Sequence, residues 1–286
     1  INCFENNDAT DYMMFNLCGE NSLESEYFDY DITSVSCSHE KLPQMDDCWG
    51  LAGCNGEEET PVVEYAETTG CEIPYARLSD YKFFEGELKE LNPAEGVLPY
   101  TVNSPLWADH AEKGRFIALP EGQQITVSAE GTWEYPEGTI IIKNFFFDLD
   151  RSDGTDGDYR IIETRLFIKD ADGWSSEIYA WNSEQTEATY VLAGAEIKVD
   201  YLDEGGASAD QIYLVPSTVQ CGSCHERDDQ IELLGLVAGQ LNKEITDGET
   251  AVNQLQWLTD QGMFESTPST EGYSVLTNPY SQDAAV

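Results

Sequence analysis

The chain is poor in positive charge. Of its 286 residues only 14 are Lys or Arg, against 55 Asp or Glu, a formal net charge of -41. Such an imbalance repels phosphate backbones and anionic headgroups, which excludes nucleic acid and acidic membrane surfaces as partners. It also works against compactness by self-repulsion, which salt, bound divalent cations or a cationic partner would screen. Saline surroundings are the expected setting. Histidine is scarcer still: His39, His110 and His225 are all there is. The longest apolar run, Thr139 to Phe147, is broken by Lys143 and Asn144, far short of the about 20 residues a spanning helix needs. No internal repeat is visible, and no nucleophile–base set or metal triad points to catalysis by the polypeptide itself. The first residue is Ile1 rather than Met, which gives the expectation of an exported protein, periplasmic or extracellular, read after removal of a signal peptide.

What is present divides the chain. Hydrophobic residues make up 41% and aromatics 11%, ample for a packed core. Six of the eight cysteines, Cys3, Cys18, Cys37, Cys48, Cys54 and Cys71, crowd the first quarter among Asn, Asp, Gly and Ser. That clustering predicts a small disulfide-stapled module over residues 1–70 with three bridges of open pairing. Glu57-Glu58-Glu59 and Pro61 mark the way out of it. Residues 71–217 then read as strands: 138–147, 160–168, a hairpin turn at Asp170-Ala171-Asp172-Gly173 into 174–181, and 187–192, 196–201 and 211–215. Short strands at regular spacing predict an antiparallel sandwich or barrel. Residues 218–265 read as helical, with helices expected over 224–234 and 249–261. Residues 266–286 form a polar surface tail. The fold class expected is therefore mainly β, with an N-terminal disulfide-rich module and a short C-terminal helical segment.

The sharpest motif is Cys221-Gly222-Ser223-Cys224-His225. Two thiols two residues apart on a helix can reach the vinyl groups on one porphyrin edge, and the following imidazole can meet the iron as proximal ligand. The expectation is one covalent haem c on Cys221, Cys224 and His225. A structural zinc site needs four ligands, usually paired CxxC units, and only one such unit lies outside the N-terminal cluster. A thioredoxin-like redox pair needs a βαβ setting, which is absent. An ordinary disulfide between Cys221 and Cys224 would close a very small loop. Cations to meet haem propionates are few; Arg227, nearest in sequence, and Arg115 are the candidates.

The helical segment with its CxxCH resembles a c-type cytochrome, though a brief one. The stretches Leu78-Ser79-Asp80-Tyr81, Pro105-Leu106-Trp107-Ala108-Asp109, Arg115 to Pro120, Pro136 to Thr139, Ile162 to Leu166, Trp181 to Thr186, Gln240-Leu241-Asn242 and Asn253-Gln254-Leu255 also resemble a family of exported bacterial proteins of unassigned function. In that family a β-rich region precedes a CxxCH. The resemblance covers residues 71–265 and implies a covalent haem and an envelope or extracellular location, but no substrate.

The sixth iron ligand has two candidates. Met263 follows the motif after a predicted helix, an order that resembles monohaem cytochromes with a His/Met iron. His110 offers a stronger ligand for ferric iron from the β region. His39 is read as solvent-facing. Asp148, Asp150, Asp153, Asp156 and Asp158 crowd one Gly-containing loop and make calcium a second candidate cofactor, with an imperfect EF-hand fit; a solvated acidic turn is the plainer alternative. Three functions are carried forward: an electron carrier with a redox partner protein, a structural subunit of an extracellular homo-oligomer or polymer, and a haem enzyme or gas-binding protein with an open iron position.

Overall fold

The computed structural model describes residues 73–128, 132–152, 158–227, 230–271 and 275–278. The chain divides between Glu67 and Thr68, and all of these residues belong to the second unit, Thr68–Val286. The three bridges expected within residues 1–71, the linker at Glu57 to Pro61, and His39 lie outside the described residues.

A six-stranded antiparallel sheet organises the unit. In order across the sheet its strands are β1 (Val97–Pro99), β2 (Glu112–Ala118), β3 (Ile140–Asp148), β4 (Tyr159–Lys169), β5 (Trp174–Trp181) and β6 (Ala188–Tyr190). Each strand pairs with the next in this series, so the sheet is an open meander whose contacts stay local in sequence. β-Branched and aromatic residues dominate β3 and β4, which suits a pleated surface buried on both sides. The expected mainly antiparallel β architecture is present; among the described residues the large sheet is open and not closed into a barrel. The second layer is a two-stranded ribbon, β7 (Ala195–Leu202) with β8 (Ser208–Val215), together with short hairpins and helices.

The helices also depart from expectation. Helix α1 spans Thr218–His225, ending where a helix was expected to begin. A hairpin of Glu226–Arg227 with Gln230–Ile231 follows it. The reason is local: Ser217 caps the helix and exchanges hydrogen bonds with Gln220, a capping box that fixes the start four residues before Cys221. After α2 (Ala238–Leu241), the stretch expected as one helix over 249–261 instead begins as a strand. Asp247-Gly248 turns β9 (Glu244–Asp247) into β10 (Thr250–Asn253), and only Gln254–Asp260 is helical, as α3, capped by Asn253. The expected helical segment is thus a mixture of short helices and hairpins. Among the described residues no helix is long and apolar enough to cross a membrane.

The sheet buries both faces. On the first, Phe116, Ile140, Ile142, Leu166, Tyr179 and Trp181 pack with Leu78 and Phe83. The second face carries two separate apolar clusters. Ile117, Ile141 and Phe167 pack with Leu255, Leu258, Met263 and Phe264 from the C-terminal segment. Phe145, Phe147, Ile162 and Ile178 pack with Val199 and Tyr213 of the ribbon and with Cys221 of α1. A bulge at Phe145/Phe146 shifts the β3–β4 register and lets Ile162 join this cluster although Leu166, four residues on, packs on the other face.

Candidate functional site

Helix α1 lies on the second face near β5, tied there by Ser176, whose hydroxyl donates to Thr218 O at 3.5 Å. Cys221 is 5% exposed, a free thiol whose Sγ lies 3.7 Å from Ser217 O. Burial pushes its pKa up, which keeps it protonated and unreactive. Cys224 lies one turn on, half-buried near the end of the same helix.

His225 closes the helix. Its Nδ1 lies 2.9 Å from Glu232 O, and its ring packs on Phe167 at 4.5 Å between centroids. Burial, together with Lys143 and Arg165, pulls its pKa down although the Glu232 carbonyl opposes this, so the imidazole is neutral at neutral pH. A neutral ring with Nδ1–H donated to a carbonyl carries its lone pair on Nε2. That is the tautomer and anchoring of an imidazole that ligates a metal.

The remaining sequence candidates scatter. Met263 is wholly buried in the cluster that contains Phe167, its backbone engaged with Leu258 and Ile125. His110 sits in the loop before β2 with φ +66° and packs edge-on to Trp107 at 4.5 Å. Its charged neighbours are Arg151, Glu204 and Asp109, whereas those of His225 are Lys143 and Arg165, so the two histidines occupy different surroundings. Arg227 is exposed and paired with Glu232 at 3.4 Å. Asp148 and Asp150 spend carboxylate oxygens on local turns, accepting from Asp150 N and from the Ser152 backbone and hydroxyl. Asp158 is exposed, and Asp153 and Asp156 are outside the described residues. Among the described residues no group of three His, Cys, Asp or Glu is placed to hold a metal ion.

Arg115 has the most unusual setting. It lies directly opposite Lys143, and Lys143 lies directly opposite Arg165, so three cations form one cross-strand row over β2, β3 and β4. One step along, Lys113 faces Phe145, which faces Glu163. The Phe145 ring lies under Lys113, Lys143 and Arg165 at 5.6, 5.3 and 4.3 Å. Glu163 is wholly buried and accepts from Arg165 Nε and NH2 at 3.0 and 2.6 Å and from the Tyr213 hydroxyl at 2.6 Å. Burial first, then the neighbouring cations, depresses Lys143 to about 7 and Lys113 to about 8. The row separates the two apolar clusters of the second face and borders α1, because Arg165 and Lys143 are also the charges felt at Cys221. Sequence reasoning found Arg115 but missed Lys113, Lys143, Arg165 and Glu163. Lys143 interrupting an apolar run was the visible sign; the pairing register that gathers the four was not readable.

His225, with an apolar wall at Phe167 and cations nearby, is a donor that suits one end of a covalent haem. No protein-family model, no curated protein and no solved structure matches the chain.

Proposed function

We propose that the chain is an exported c-type cytochrome carrying one haem on Cys221, Cys224 and His225, and that it transfers electrons to or from a redox partner protein. The observation that carries this reading is His225: neutral, anchored through Nδ1 on Glu232 O, with the Nε2 lone pair left to ligate an iron. A bound haem would supply a one-electron iron couple. The chain's own part is to hold that imidazole in one tautomer, to bury Cys221, and to set positive charge beside the site through Arg115, Lys143 and Arg165. Met263 and His110 stand as alternative sixth ligands. The N-terminal cysteines are proposed as a disulfide-stapled module in the same oxidising compartment.

A second reading draws on the packing of Cys221 and His225. In a structural subunit of an extracellular assembly, Cys221 would serve as core and His225 as packing against Phe167. Intact mass of the purified protein, before and after acid–organic extraction, separates the two. On the cytochrome reading the mass exceeds the polypeptide by one haem, and the excess survives extraction. A chain of bare polypeptide mass, whose non-reducing peptide map shows Cys224 in a disulfide, would falsify it and leave the structural reading.

A further inference from the structure

We propose that the basic row Arg115–Lys143–Arg165, with Lys113, is a binding site for an anion that presents two carboxylates on a small frame. Like charges directly opposite one another on adjacent strands repel, so the row is unfavourable by itself. The one buried carboxylate in its midst, Glu163, is already engaged by Arg165 and Tyr213. Lys113 and Arg115 hold only neutral acceptors, donating to the carbonyl oxygens of Leu106 and Lys113 respectively. Lys143 has no hydrogen-bond acceptor among the described residues, only the face of Phe145. After Glu163 is set against Arg165, Lys113, Arg115 and Lys143 have no buried carboxylate of their own among the described residues, though exposed Glu112 and Asp109 act on Lys113, in a chain with 55 acidic residues from which a partner could have come. A dianion answers that excess; a single carboxylate does not.

The row is reachable at its Arg115 end, beside Lys113. Lys113 and Arg115 line an open cavity with Trp107, His110 and Arg151. Arg151 NH2 is buried there without a hydrogen-bond partner, and its guanidinium lies over Tyr201 at 4.2 Å. Asp109 and His110, consecutive non-glycine residues with φ of +44° and +66°, shape the rim, a backbone strain that tends to be kept where a site needs it. Glu112, Asp148 and Glu204 line the same cavity. Their charge repels an extended polyanion and favours a compact one that reaches past them. Two sources fit this chemistry: the propionates of a haem attached at α1, which rests on the cytochrome reading, and a free dicarboxylate.

The test is calorimetric titration of malonate into the full-length protein, haem-free and haem-loaded, against chloride at matched ionic strength. Haem-free protein should bind malonate beyond the chloride background. Lys143→Met should weaken that binding by about tenfold or more, the loss of one charge-assisted hydrogen bond, and should melt no lower than the parent because a repulsive charge is gone. Arg115→Gln is the second variant, read the same way. Loss of malonate binding on haem loading assigns the site to the propionates; its retention assigns it to a free dicarboxylate. No binding above chloride, or binding that neither substitution weakens, overturns the proposal. Whether haem attaches at all is read from mass, so a failed cytochrome reading leaves the malonate result decisive by itself.

Discussion

Glu163 is, among the described residues, the one buried counter-charge inside a group of four cations, and Glu163→Gln is the sharpest perturbation of it. The amide keeps the shape and can still accept from Tyr213, but it removes the charge that meets Arg165 through two hydrogen bonds. Removing one partner of a buried ion pair leaves the other charge uncompensated, at a cost of about 3–5 kcal/mol. The glutamate side chain is fully buried and that of Arg165 is 19% exposed, so some water reaches the guanidinium and the lower end, about 3 kcal/mol, is expected. In a unit of this size that lowers Tm by roughly 6–12 °C. Urea denaturation at pH 7 and fixed salt measures it, and the double variant Glu163→Gln/Arg165→Met supplies the control. Taking away the stranded cation should recover more than half of the loss, because the pair as a whole contributes little net stability. A loss below about 1 kcal/mol, or a double variant no more stable than the single one, would refute the view that Glu163 compensates the row.

Two further outcomes follow from the same surroundings. Lys143 is held near pH 7 against its ordinary 10.5. The folded state therefore sheds its proton early while the unfolded chain keeps it. The penalty is complete below about pH 7 and is relieved as pH rises toward 10.5, so stability should climb by about 2 kcal/mol between pH 7 and 9. Lys113, held near 8, acts in the same direction. Lys143→Met should flatten that climb in urea titrations at several pH values, and an unchanged slope would count against it. Gly194 has φ +77°, and a Cβ there would sit 2.4 Å from Val215 O and 2.9 Å from the Pro216 carbonyl carbon. Gly194→Ala should cost about 2 kcal/mol or more and disturb the Ser217 cap of α1, seen as a drop in urea midpoint; wild-type stability would show that the turn yields freely.

Much of the sheet was legible in the amino-acid order. The runs around Ile140–Asp148 and Tyr159–Lys169 are β-branched and aromatic enough to name themselves, and Asp170 to Gly173 turns one strand into the next as its composition demands. Strand β2 was hidden, because Glu112-Lys113-Gly114-Arg115 alternates a charge with a glycine rather than with an apolar residue. Two signals were present and unread. Ser217-Thr218-Val219-Gln220 is a capping box, and Asp247-Gly248 is a hairpin turn; both would have moved the expected helices to where α1 and α3 lie. The CxxCH residues were legible as a motif. Their partners were not, since Glu232 reaches His225 through a backbone carbonyl, and Lys143 reaches the site through a pairing register with Arg165 that neither strand's composition gives.

Helix α1 is short, yet it is fastened at both ends: by the Ser217–Gln220 exchange at its start, and at its finish by Glu232, whose N–H donates to His225 O and whose carbonyl meets Nδ1. Cys221 lies beneath it in a closed apolar cluster. On the haem reading this turns attachment into a race. A vinyl group can reach the Cys221 sulfur only while this stretch is still open, and Cys224 is available only until another thiol claims it. Whichever event comes first decides whether the chain leaves its assembly line coloured or colourless, and the slower of the two has no second opportunity without reduction and unfolding.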